Sequence, residues 1–311
     1  MSNVRENGTP FGDHGKLSVK GVDIVDKNGE VYQLKGVSTS GIAWYPEYIN
    51  KGAFTSFRDD FNANIIRLAM YTAEYDGFCT DGNKEDIKGY VKKGVELASE
   101  LGMYVIVDWH ILSDNDPHIY EDEAAAYFEE MSALFKDHDN VLYEICNEPN
   151  GDTKWSDVKS YAKKIIPIIR NYDKDAVIIV GTPNWSQDVD EAAKDPLEGD
   201  NIAYAVHFYA ATHKDDIRDK AKIAREKGLC VFISEFSICD ASGNGALDYA
   251  SAKEWIDYLN ENRMSYIAWN ISNKDESSAF FKPDCVNYEG SWEESEMNDS
   301  AIWLKKTLRG E

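Results

Sequence analysis

The chain has 311 residues, of which 56 are acidic and 33 are basic, so its formal net charge at pH 7 is −23. Charge of this sign repels phosphate backbones and anionic lipid headgroups, which excludes nucleic acid and membrane surfaces as expected partners. It does not hinder binding of a neutral polymer such as a polysaccharide, although acidity by itself also keeps many proteins soluble.

Composition favours one sizeable domain, because hydrophobic residues make up 43% of the chain and an α/β barrel commonly uses about 250 residues as one unit. No run approaches the roughly 18 apolar residues that a membrane-spanning helix requires. The five cysteines are odd in number and contain no CxxC pair, which indicates neither a disulfide framework nor a zinc knuckle.

Residues 1–15 are polar and rich in glycine, and we predict that they form a flexible segment before a catalytic domain at 16–311. They lack the apolar region of a signal peptide, so we expect the export signal of a secreted natural protein to have been removed from this version. Residues 19–25 and 30–34 flank Lys27-Asn28-Gly29. Asn-Gly tolerates the positive φ angles of a tight turn, which predicts a short N-terminal β-hairpin.

After the hairpin, apolar runs alternate with longer amphipathic segments. The runs are nearly continuous in hydrophobicity, as expected for strands that are covered on both faces. They lie at 33–38, 64–71, 103–110, 141–148, 176–181, 202–209, 229–235 and 265–270. The segments between them repeat apolar residues every three to four positions, which indicates amphipathic helices. These include 84–101, 121–137, 153–171, 215–227 and 245–262.

Eight such alternations with no break in composition predict a single (β/α)8 TIM barrel of the α/β class. A doubly wound sheet shows the same alternation but usually has fewer strands and a glycine-rich phosphate turn after the first. Here the first run is followed by Ser38-Thr39-Ser40-Gly41, with no GxGxxG pattern. The barrel is therefore the expected fold.

Two glutamates, Glu148 and Glu235, stand at the predicted ends of the fourth and seventh runs, where barrel enzymes carry out their chemistry. Glycoside hydrolysis needs such a pair. One carboxylic acid protonates the leaving oxygen, and the other meets the positive charge that develops at the anomeric carbon. A separation of about 5–5.5 Å gives retention of configuration, and one of ~6.5–9.5 Å gives inversion. We predict that both residues are catalytic.

Arg67 and Tyr209 are predicted to divide the roles between the two glutamates. Arg67 is permanently charged, so contact with Glu235 would keep that carboxylate ionised as the nucleophile, and Tyr209 could donate a hydrogen bond to it. A negative Glu235 would in turn favour a protonated Glu148, the acid/base. Arg67 could instead pair with Asp108 purely for stability.

Three further polar residues end strands nearby. His110 and His207 offer neutral hydrogen-bond partners for sugar hydroxyls or for Glu148, although both could be structural histidines. Asn147 is placed to hold the sugar 2-hydroxyl, a contact that strengthens in the transition state.

Aromatic side chains at or beyond the predicted strand ends would stack on sugar rings and form a cleft for a linear polymer. They are Trp44, Tyr45, Tyr71, Trp185 and Trp269. Lys274 and Glu276, in the loop after the eighth run, could bind hydroxyl groups farther along the same polymer. The alternatives are ordinary buried aromatics at Trp44 and Trp185, and a solvated pair at Lys274 and Glu276.

Together these residues resemble glycoside hydrolase family 5, within a clan of retaining (β/α)8 enzymes. Asn147-Glu148-Pro149 matches the acid/base motif, and Ile233-Ser234-Glu235-Phe236 matches the nucleophile strand. Arg67, His110, His207, Tyr209 and Trp269 fall where that family has its other active-site residues. The resemblance covers roughly the whole chain.

Several segments resemble the bacterial cellulase branch in particular: Lys35-Gly36-Val37-Ser38, Ala43-Trp44-Tyr45-Pro46-Glu47-Tyr48, Trp185-Ser186-Gln187-Asp188-Val189 and Trp269-Asn270-Ile271-Ser272-Asn273-Lys274-Asp275-Glu276. The resemblance implies an endo-β-1,4-glucanase, a cellulase that acts by double displacement. It also implies that Lys274 and Glu276 lie at the non-reducing side of the cut.

One position departs from the branch, which usually reads Ser-Thr-His-Gly where this chain has Ser38-Thr39-Ser40-Gly41. The usual histidine would contact sugar near the cleavage point, and the shorter Ser40 leaves space for water or a different substituent. We keep Ser40 as a predicted substrate-binding position. We expect the change to affect turnover and substrate range more than the reaction class.

Three alternatives stay open at this stage. Mannan, xylan or xyloglucan could replace cellulose as the substrate of the same mechanism. A metal-dependent hydrolase using His110 and His207 would usually need more histidines than this chain offers and an HxH pair on the first strand. A non-catalytic sugar-binding barrel would usually have lost one of the two carboxylates. We therefore predict no metal, no cofactor, a polysaccharide partner, a monomer and, in the natural context, secretion.

Overall fold

The structure, a computed structural model, describes residues 8–311 and is built around one closed barrel. Two short antiparallel strands, β1 (Ser18–Lys20) and β2 (Asp23–Val25), precede it. The barrel strands are β3 (Lys35–Thr39), β4 (Ile65–Tyr71), β5 (Tyr104–His110), β6 (Val141–Glu144), β7 (Ile178–Val180), β8 (Ile202–Tyr209), β9 (Cys230–Ser237) and β10 (Tyr266–Ile271). They are parallel and adjacent in chain order, and β10 pairs with β3 to close the ring. This confirms the predicted (β/α)8 barrel.

Helices cover the outside of the barrel. They are α1 (Pro10–His14), α2 (Lys51–Asp59), α3 (Lys84–Glu100), α4 (Glu121–Phe135), α5 (Trp155–Arg170), α6 (Pro183–Ser186), α7 (Val189–Ala192), α8 (Asp215–Glu226), α9 (Tyr249–Glu261) and α10 (Asp299–Arg309), with 3₁₀ turns at Pro46–Tyr48 and Glu294–Glu296. Side chains start several of them: Asn50 accepts from the Ala53 amide at 2.8 Å, which satisfies one of the free amides of the first turn of α2. Each helix in the described part of the chain is too short or too polar to cross a bilayer.

The inside of the barrel has an apolar floor and a polar upper layer. Alternate residues of each strand face inward, so Ile65, Ile106, Leu142, Ala205 and Phe232 belong to one buried apolar cluster. Two positions farther along each of these five strands, the inward side chains are polar: Arg67, Asp108, Glu144, His207 and Ser234. The strands therefore end in a layer of buried polar groups, which is the base of the site described below.

A β-bulge in β9 sets the direction of Glu235. Ala205 of β8 pairs with Phe232, but the next inward residue of β8, His207, pairs with Glu235. Two steps along β8 thus match three steps along β9. Strict alternation from Phe232 would point Glu235 outward, and the extra residue brings it inward beside Ser234.

The predicted short N-terminal hairpin is present, but its strands pair around a different turn. The paired strands β1 and β2 are joined at Gly21, whose φ is 62°, whereas beyond the Asn28-Gly29 turn only one bridge forms, between Val25 and Val31. Gly21 supplies the left-handed conformation earlier in the chain than the predicted turn.

Residues 1–7 of the predicted flexible segment lie outside the described residues, while 10–14 form α1. Phe11 of this helix is buried and packs edge-on against Tyr104, with ring centroids 5.8 Å apart. An apolar side chain in an otherwise polar segment therefore attaches it to the barrel floor.

Candidate active site

Glu148 and Glu235 converge at the C-terminal mouth of the barrel. Glu148 lies four residues beyond the end of β6, and Glu235 lies within β9. One carboxylate oxygen of each, together with a ring nitrogen of His207, lie within 4.8 Å of one another. This spacing is close to the about 5–5.5 Å that allows direct attack by one carboxylate, and shorter than the ~6.5–9.5 Å of inverting enzymes.

Glu235 is held at both oxygens. Arg67 Nη1 donates to Oε2 at 3.1 Å, and the Tyr209 hydroxyl donates to Oε1 at 2.8 Å. Burial raises the pKa of Tyr209 well above its usual range, with Glu235 adding to the effect, so the phenol keeps the hydrogen that it donates. Both contacts stabilise an ionised carboxylate aimed into the cleft.

Arg67 is fully buried and contacts three carboxylates at once: Glu235, Glu144 through Nε at 2.7 Å, and Asp108 through Nη2 at 3.0 Å. Burial alone would lower the pKa of Arg67, but Asp108, Glu144 and Glu235 raise it overall. The stabilising pair with Asp108 and the catalytic contact with Glu235 are thus both present. One guanidinium neutralises part of an acidic cluster beneath the cleft.

Glu148 is paired with His207, whose Nδ1 lies 2.8 Å from Oε1. Burial alone would lower the pKa of His207, but the surrounding carboxylates of Glu144, Glu148 and Glu235 raise it to about 9. His207 therefore differs from the predicted neutral histidine. The cause is the number of carboxylates around it, which outweighs its burial.

His110 is the neutral histidine of the site. Burial, and secondarily Arg67, lower its pKa to about 3. Its Nδ1 lies 2.6 Å from Asp108 Oδ2, which leaves Nε2 as the nitrogen available to a sugar hydroxyl.

Asn147 is fully buried, and its amide bonds to Arg67 through Oδ1 at 2.6 Å and to the Ile111 carbonyl through Nδ2 at 3.0 Å. It does not line the cavity, so its contact with the sugar 2-hydroxyl stays a prediction.

A cavity of about 640 Å³ extends across the mouth above these residues. Of the predicted site residues, its lining includes Ser40, Trp44, Tyr71, His110, Glu148, Trp185, His207, Tyr209, Glu235, Trp269, Lys274 and Glu276. Arg67, Asn147 and Tyr45 are not part of the lining. Tyr45 instead packs against the outer core, near the charges of Lys274 and Glu276.

Aromatic rings form one wall of the cleft. Trp44 stacks on Tyr71 with centroids 4.5 Å apart, Tyr71 meets His110 edge-on at 4.2 Å, and His110 stacks on Trp269 at 5.3 Å. The Trp44 indole also donates to the Tyr75 carbonyl at 2.7 Å, which fixes the ring. These contacts give a continuous rigid surface against which sugar rings can stack.

Trp185 reaches the cleft from the opposite side of the barrel. It follows β7, whereas Trp44 follows β3, and these strands lie on opposite sides of the ring. Its side chain is 44% exposed, which excludes an ordinary buried aromatic. Asn184, Trp185 and Ser186 all have left-handed φ angles of 55–57°, and the Trp185 amide is held by the Pro149 carbonyl at 3.0 Å. Positive φ angles at residues other than glycine cost conformational free energy, and such residues are typical of functional positions.

Lys274 and Glu276 form an ion pair of 2.6 Å at the β10 side of the cleft. The Lys274 side chain is 52% exposed, but that of Glu276 is only 9% exposed and accepts hydrogen bonds from Asn270 and Ser278. A buried, oriented carboxylate differs from a solvated loop pair, because its position is fixed before substrate arrives.

Sequence reasoning missed two groups of residues. Gln187, His213 and Ser242 line the cavity from loops, where no local pattern shows that they fold back over the mouth. Glu144 and Ser234 lie beneath it and support His207 and Arg67. A signal for Glu144 did exist, because a carboxylate inside an apolar strand must find a partner.

Glu148, His207 and Glu235 are spaced closely enough to hold a metal ion. Their electrostatics do not suit one, because a metal-binding imidazole must be neutral and the surroundings raise the pKa of His207 to about 9. The Arg67 guanidinium beside Glu235 adds a second positive charge. The donor set therefore fits proton transfer better than metal binding.

Comparison with known proteins relates this chain to one enzyme family. The family model for Cellulase (glycosyl hydrolase family 5) matches residues 25–275. Endoglucanase A of Butyrivibrio fibrisolvens is 48% identical over 294 residues, covering 94% of this chain and 68% of that protein. An endoglucanase of Clostridium saccharobutylicum is 43% identical over 303 residues, covering 97% and 66% respectively. The chain thus spans about two thirds of the length of these curated relatives.

Solved structures show the same similarity. The catalytic domain of the Thermobifida fusca endoglucanase superposes with a TM-score of 0.93 at 38% identity, covering 97% of this chain and 100% of that one. A second structure of that domain, in complex with cellotetraose, gives a TM-score of 0.92 at 37% identity with the same coverage. The chain therefore belongs to glycosyl hydrolase family 5, the cellulase family.

Proposed function

We infer that this chain is a retaining, endo-acting glycoside hydrolase that cleaves β-1,4-glucosidic bonds in cellulose or a related β-glucan by double displacement. The observation that carries this function is the approach of Glu148 and Glu235 to within 4.8 Å at the base of the cleft. The named endoglucanase relatives and the cellotetraose complex of the Thermobifida fusca enzyme support the substrate class.

In the first step, Glu235 attacks the anomeric carbon while Glu148 gives its proton to the glycosidic oxygen. The bond between the anomeric carbon and that oxygen breaks, and a glycosyl ester forms on Glu235. Tyr209 and Arg67 keep the nucleophile oriented toward the cleft. The short distance between the two carboxyl groups lets both act on the same bond.

In the second step, Glu148 has become a carboxylate and accepts a proton from water. The water oxygen attacks the anomeric carbon and releases Glu235, so two inversions give net retention. His207 Nδ1 lies 2.8 Å from Glu148 Oε1, close enough to share the proton that Glu148 accepts from the water.

Endo action follows from the shape of the cleft. Trp44, Lys274 and Glu276 line it from the β3 and β10 side, while Trp185 lines it from the β7 side. The catalytic pair lies between these two sides, so a long polymer can bind on both sides of the bond that is cut. A pocket closed at one end would favour release of terminal units instead.

The experiment that tests this function compares soluble β-1,4-glucan, mannan, xylan and xyloglucan under one set of conditions. An endoglucanase lowers the viscosity of carboxymethylcellulose well before reducing ends accumulate. Preferred hydrolysis of mannan or xylan would contradict the assignment to glucan. A slow viscosity loss with steady release of reducing ends would contradict endo action.

We also propose that the natural protein acts outside the cell, in polysaccharide degradation, because a polymer of this kind cannot cross the cell membrane to reach an internal enzyme. The monomeric state stays a prediction, and light scattering of the purified chain measures it directly.

A further inference from the structure

Beneath the cleft, buried hydrogen bonds lead away from the acid/base. Glu148 Oε1 lies 2.8 Å from His207 Nδ1, and His207 Nε2 lies 2.9 Å from Ser234 Oγ. Ser234 Oγ in turn donates to Glu144 Oε1 at 2.6 Å. Neither Ser234 nor Glu144 lines the cavity, and both are fully buried. They reach the chemistry only through other side chains.

The same path continues to the nucleophile. Glu144 Oε2 accepts from Arg67 Nε at 2.7 Å, and Arg67 Nη1 donates to Glu235 at 3.1 Å. The two catalytic carboxylates are thus connected through the protein interior as well as across the cleft. Glu144 is the member that both halves of this path share.

The direction of the hydrogen bonds follows from the charge of Glu144. Burial alone would raise the pKa of Glu144, but Arg67 and His207 lower it to about 2, so it is an acceptor only. The Ser234 hydroxyl has a single hydrogen and gives it to Glu144. Its oxygen can therefore only accept from His207, which requires a hydrogen on Nε2.

We propose that Ser234 and Glu144 are positioning residues for the acid/base step, which fix a hydrogen on His207 Nε2 so that Nδ1 exchanges a proton with Glu148. The inference rests on the proposed function, in which Glu148 is the acid/base. The pair then has two forms. In one, His207 is neutral and Glu148 is protonated; in the other, His207 is charged and Glu148 is a carboxylate. The two forms differ in the position of one proton, which moves across 2.8 Å.

This arrangement balances over the catalytic cycle. The proton passes from Glu148 to the leaving oxygen in the first step, which leaves the Glu148 carboxylate beside a neutral His207. In the second step the proton taken from water returns to Glu148 or Nδ1. Nε2 keeps its hydrogen throughout because Ser234 can accept but not donate there.

Charged groups from several strands face His207. They are Glu144 from β6, Glu148 from the loop that follows, Asp108 from β5, Glu235 from β9, and Arg67 from β4, which contacts three of them. Their net negative charge favours the imidazolium form. Replacing Glu144 with a neutral residue removes part of that effect, so Glu144→Gln is expected to move the basic limb of the activity profile to lower pH.

The decisive test compares Ser234→Ala with Ser234→Thr, which keeps the hydroxyl. The substrates are two kinds of aryl β-cellobioside. Poor leaving groups need a proton from the acid in order to depart, and good leaving groups do not. On poor leaving groups, Ser234→Ala is expected to lose about tenfold or more in kcat/KM, part of the factor of 10²–10⁴ that general acid catalysis supplies. The release of 2,4-dinitrophenolate in the first turnover should stay within about twofold of the unmodified enzyme, because this leaving group needs no acid.

Equal losses on both kinds of leaving group would indicate a displaced nucleophile, and would overturn the proposal. The same holds if Ser234→Ala equals the unmodified enzyme on poor leaving groups. If the unmodified chain itself fails to release 2,4-dinitrophenolate from the cellobioside, the proposed function fails instead.

A direct measurement of the tautomer supplements the kinetics. The chain has six histidines, and nitrogen-15 NMR with His207→Gln for assignment can follow His207 alone. Nε2 is expected to be protonated in the unmodified protein at every pH, and this preference should weaken in Ser234→Ala. An Nδ1-protonated neutral form in the unmodified protein would contradict the proposal.

Discussion

Arg67 and Glu235 form a buried ion pair of 3.1 Å, and the same guanidinium also contacts Glu144 and Asp108. Arg67→Met would leave three buried carboxylates without their common partner, so we expect a loss of about 3–5 kcal/mol in the free energy of unfolding.

Arg67→Lys is the matched control, since it keeps the charge and loses the planar fork. We expect it to be more stable than Arg67→Met but at least about 100-fold less active than the unmodified chain, because one ammonium cannot hold all three contacts. Urea titrations and kcat/KM measure the two effects, and an Arg67→Lys variant with full activity would contradict the positioning role.

Glu235→Ala is expected to abolish hydrolysis of carboxymethylcellulose while circular dichroism and thermal melting stay close to those of the unmodified chain. With the nucleophile removed, azide can attack an activated β-cellobioside directly and should give the α-glycosyl azide. Glu148→Ala, the matched variant, keeps the nucleophile, so azide should intercept the glycosyl ester and give the β-azide. Exchanged products in the two variants would reverse the assignment of roles.

The spacing of the two carboxylates predicts retention of configuration. Proton NMR of a cello-oligosaccharide digest should show the β anomer as the first product, before mutarotation produces the α form. An initial α anomer would show that water attacks in place of Glu235, and would contradict retention.

The charge of His207 predicts a specific pH dependence of stability. Its surroundings raise its pKa from an ordinary value of 6.5 to about 9, so protonation stabilises the folded state. This contribution is fully present below about pH 6.5 and is lost as the pH rises through about 9, with an upper magnitude on the order of 3 kcal/mol. The difference in unfolding free energy between the unmodified chain and His207→Gln should therefore shrink between these two values. A difference independent of pH would show that the imidazolium is not formed.

Trp185→Ala is expected to raise KM several-fold on long cello-oligosaccharides and to leave kcat within about twofold, because the ring lines the cleft from the β7 side and takes no part in the proton transfers. Trp185→Phe keeps an aromatic surface and should recover part of the loss. Oligosaccharides too short to reach Trp185 provide the internal control, since their hydrolysis should be unchanged. A fall in kcat alone would point to a disturbed backbone at Asn184 and Ser186 instead.

The order of strands and the inward position of Glu148 and Glu235 could be predicted from sequence, because barrel strands are apolar runs and polar residues at their ends are conspicuous. The charge of His207 could not, since it depends on carboxylates that come from other strands. The location of the paired strands could not be predicted for a similar reason: turns form at both Gly21 and Asn28-Gly29, and only the packing of the chain decides that the longer pairing lies around Gly21.

The sequence also could not show which of two adjacent loop residues lines the cleft. Trp44 lines the cleft and Tyr45 does not, because two adjacent side chains in a loop point in different directions and no period describes a loop. Ser234 lies within a strand, where the sequence pattern suggests only structure, and the signal at Glu144, a carboxylate inside an apolar strand, does not identify its partner. Their role depends on what faces them from β8 and β4.

The number of residues in β9, and not the type of its side chains, decides whether Glu235 faces the cleft, because the extra residue of the bulge turns it inward. Deleting Ile233 would keep every acidic group in the sequence, yet it would rotate Glu235 toward the helices or shift the rest of the strand by one residue. A point substitution in this strand changes one side chain and leaves the others facing as before. A change in the length of the strand reverses the direction of every side chain that follows it. Among homologous chains, we expect insertions and deletions to be excluded between Phe232 and Glu235 and to collect in the loops around the mouth.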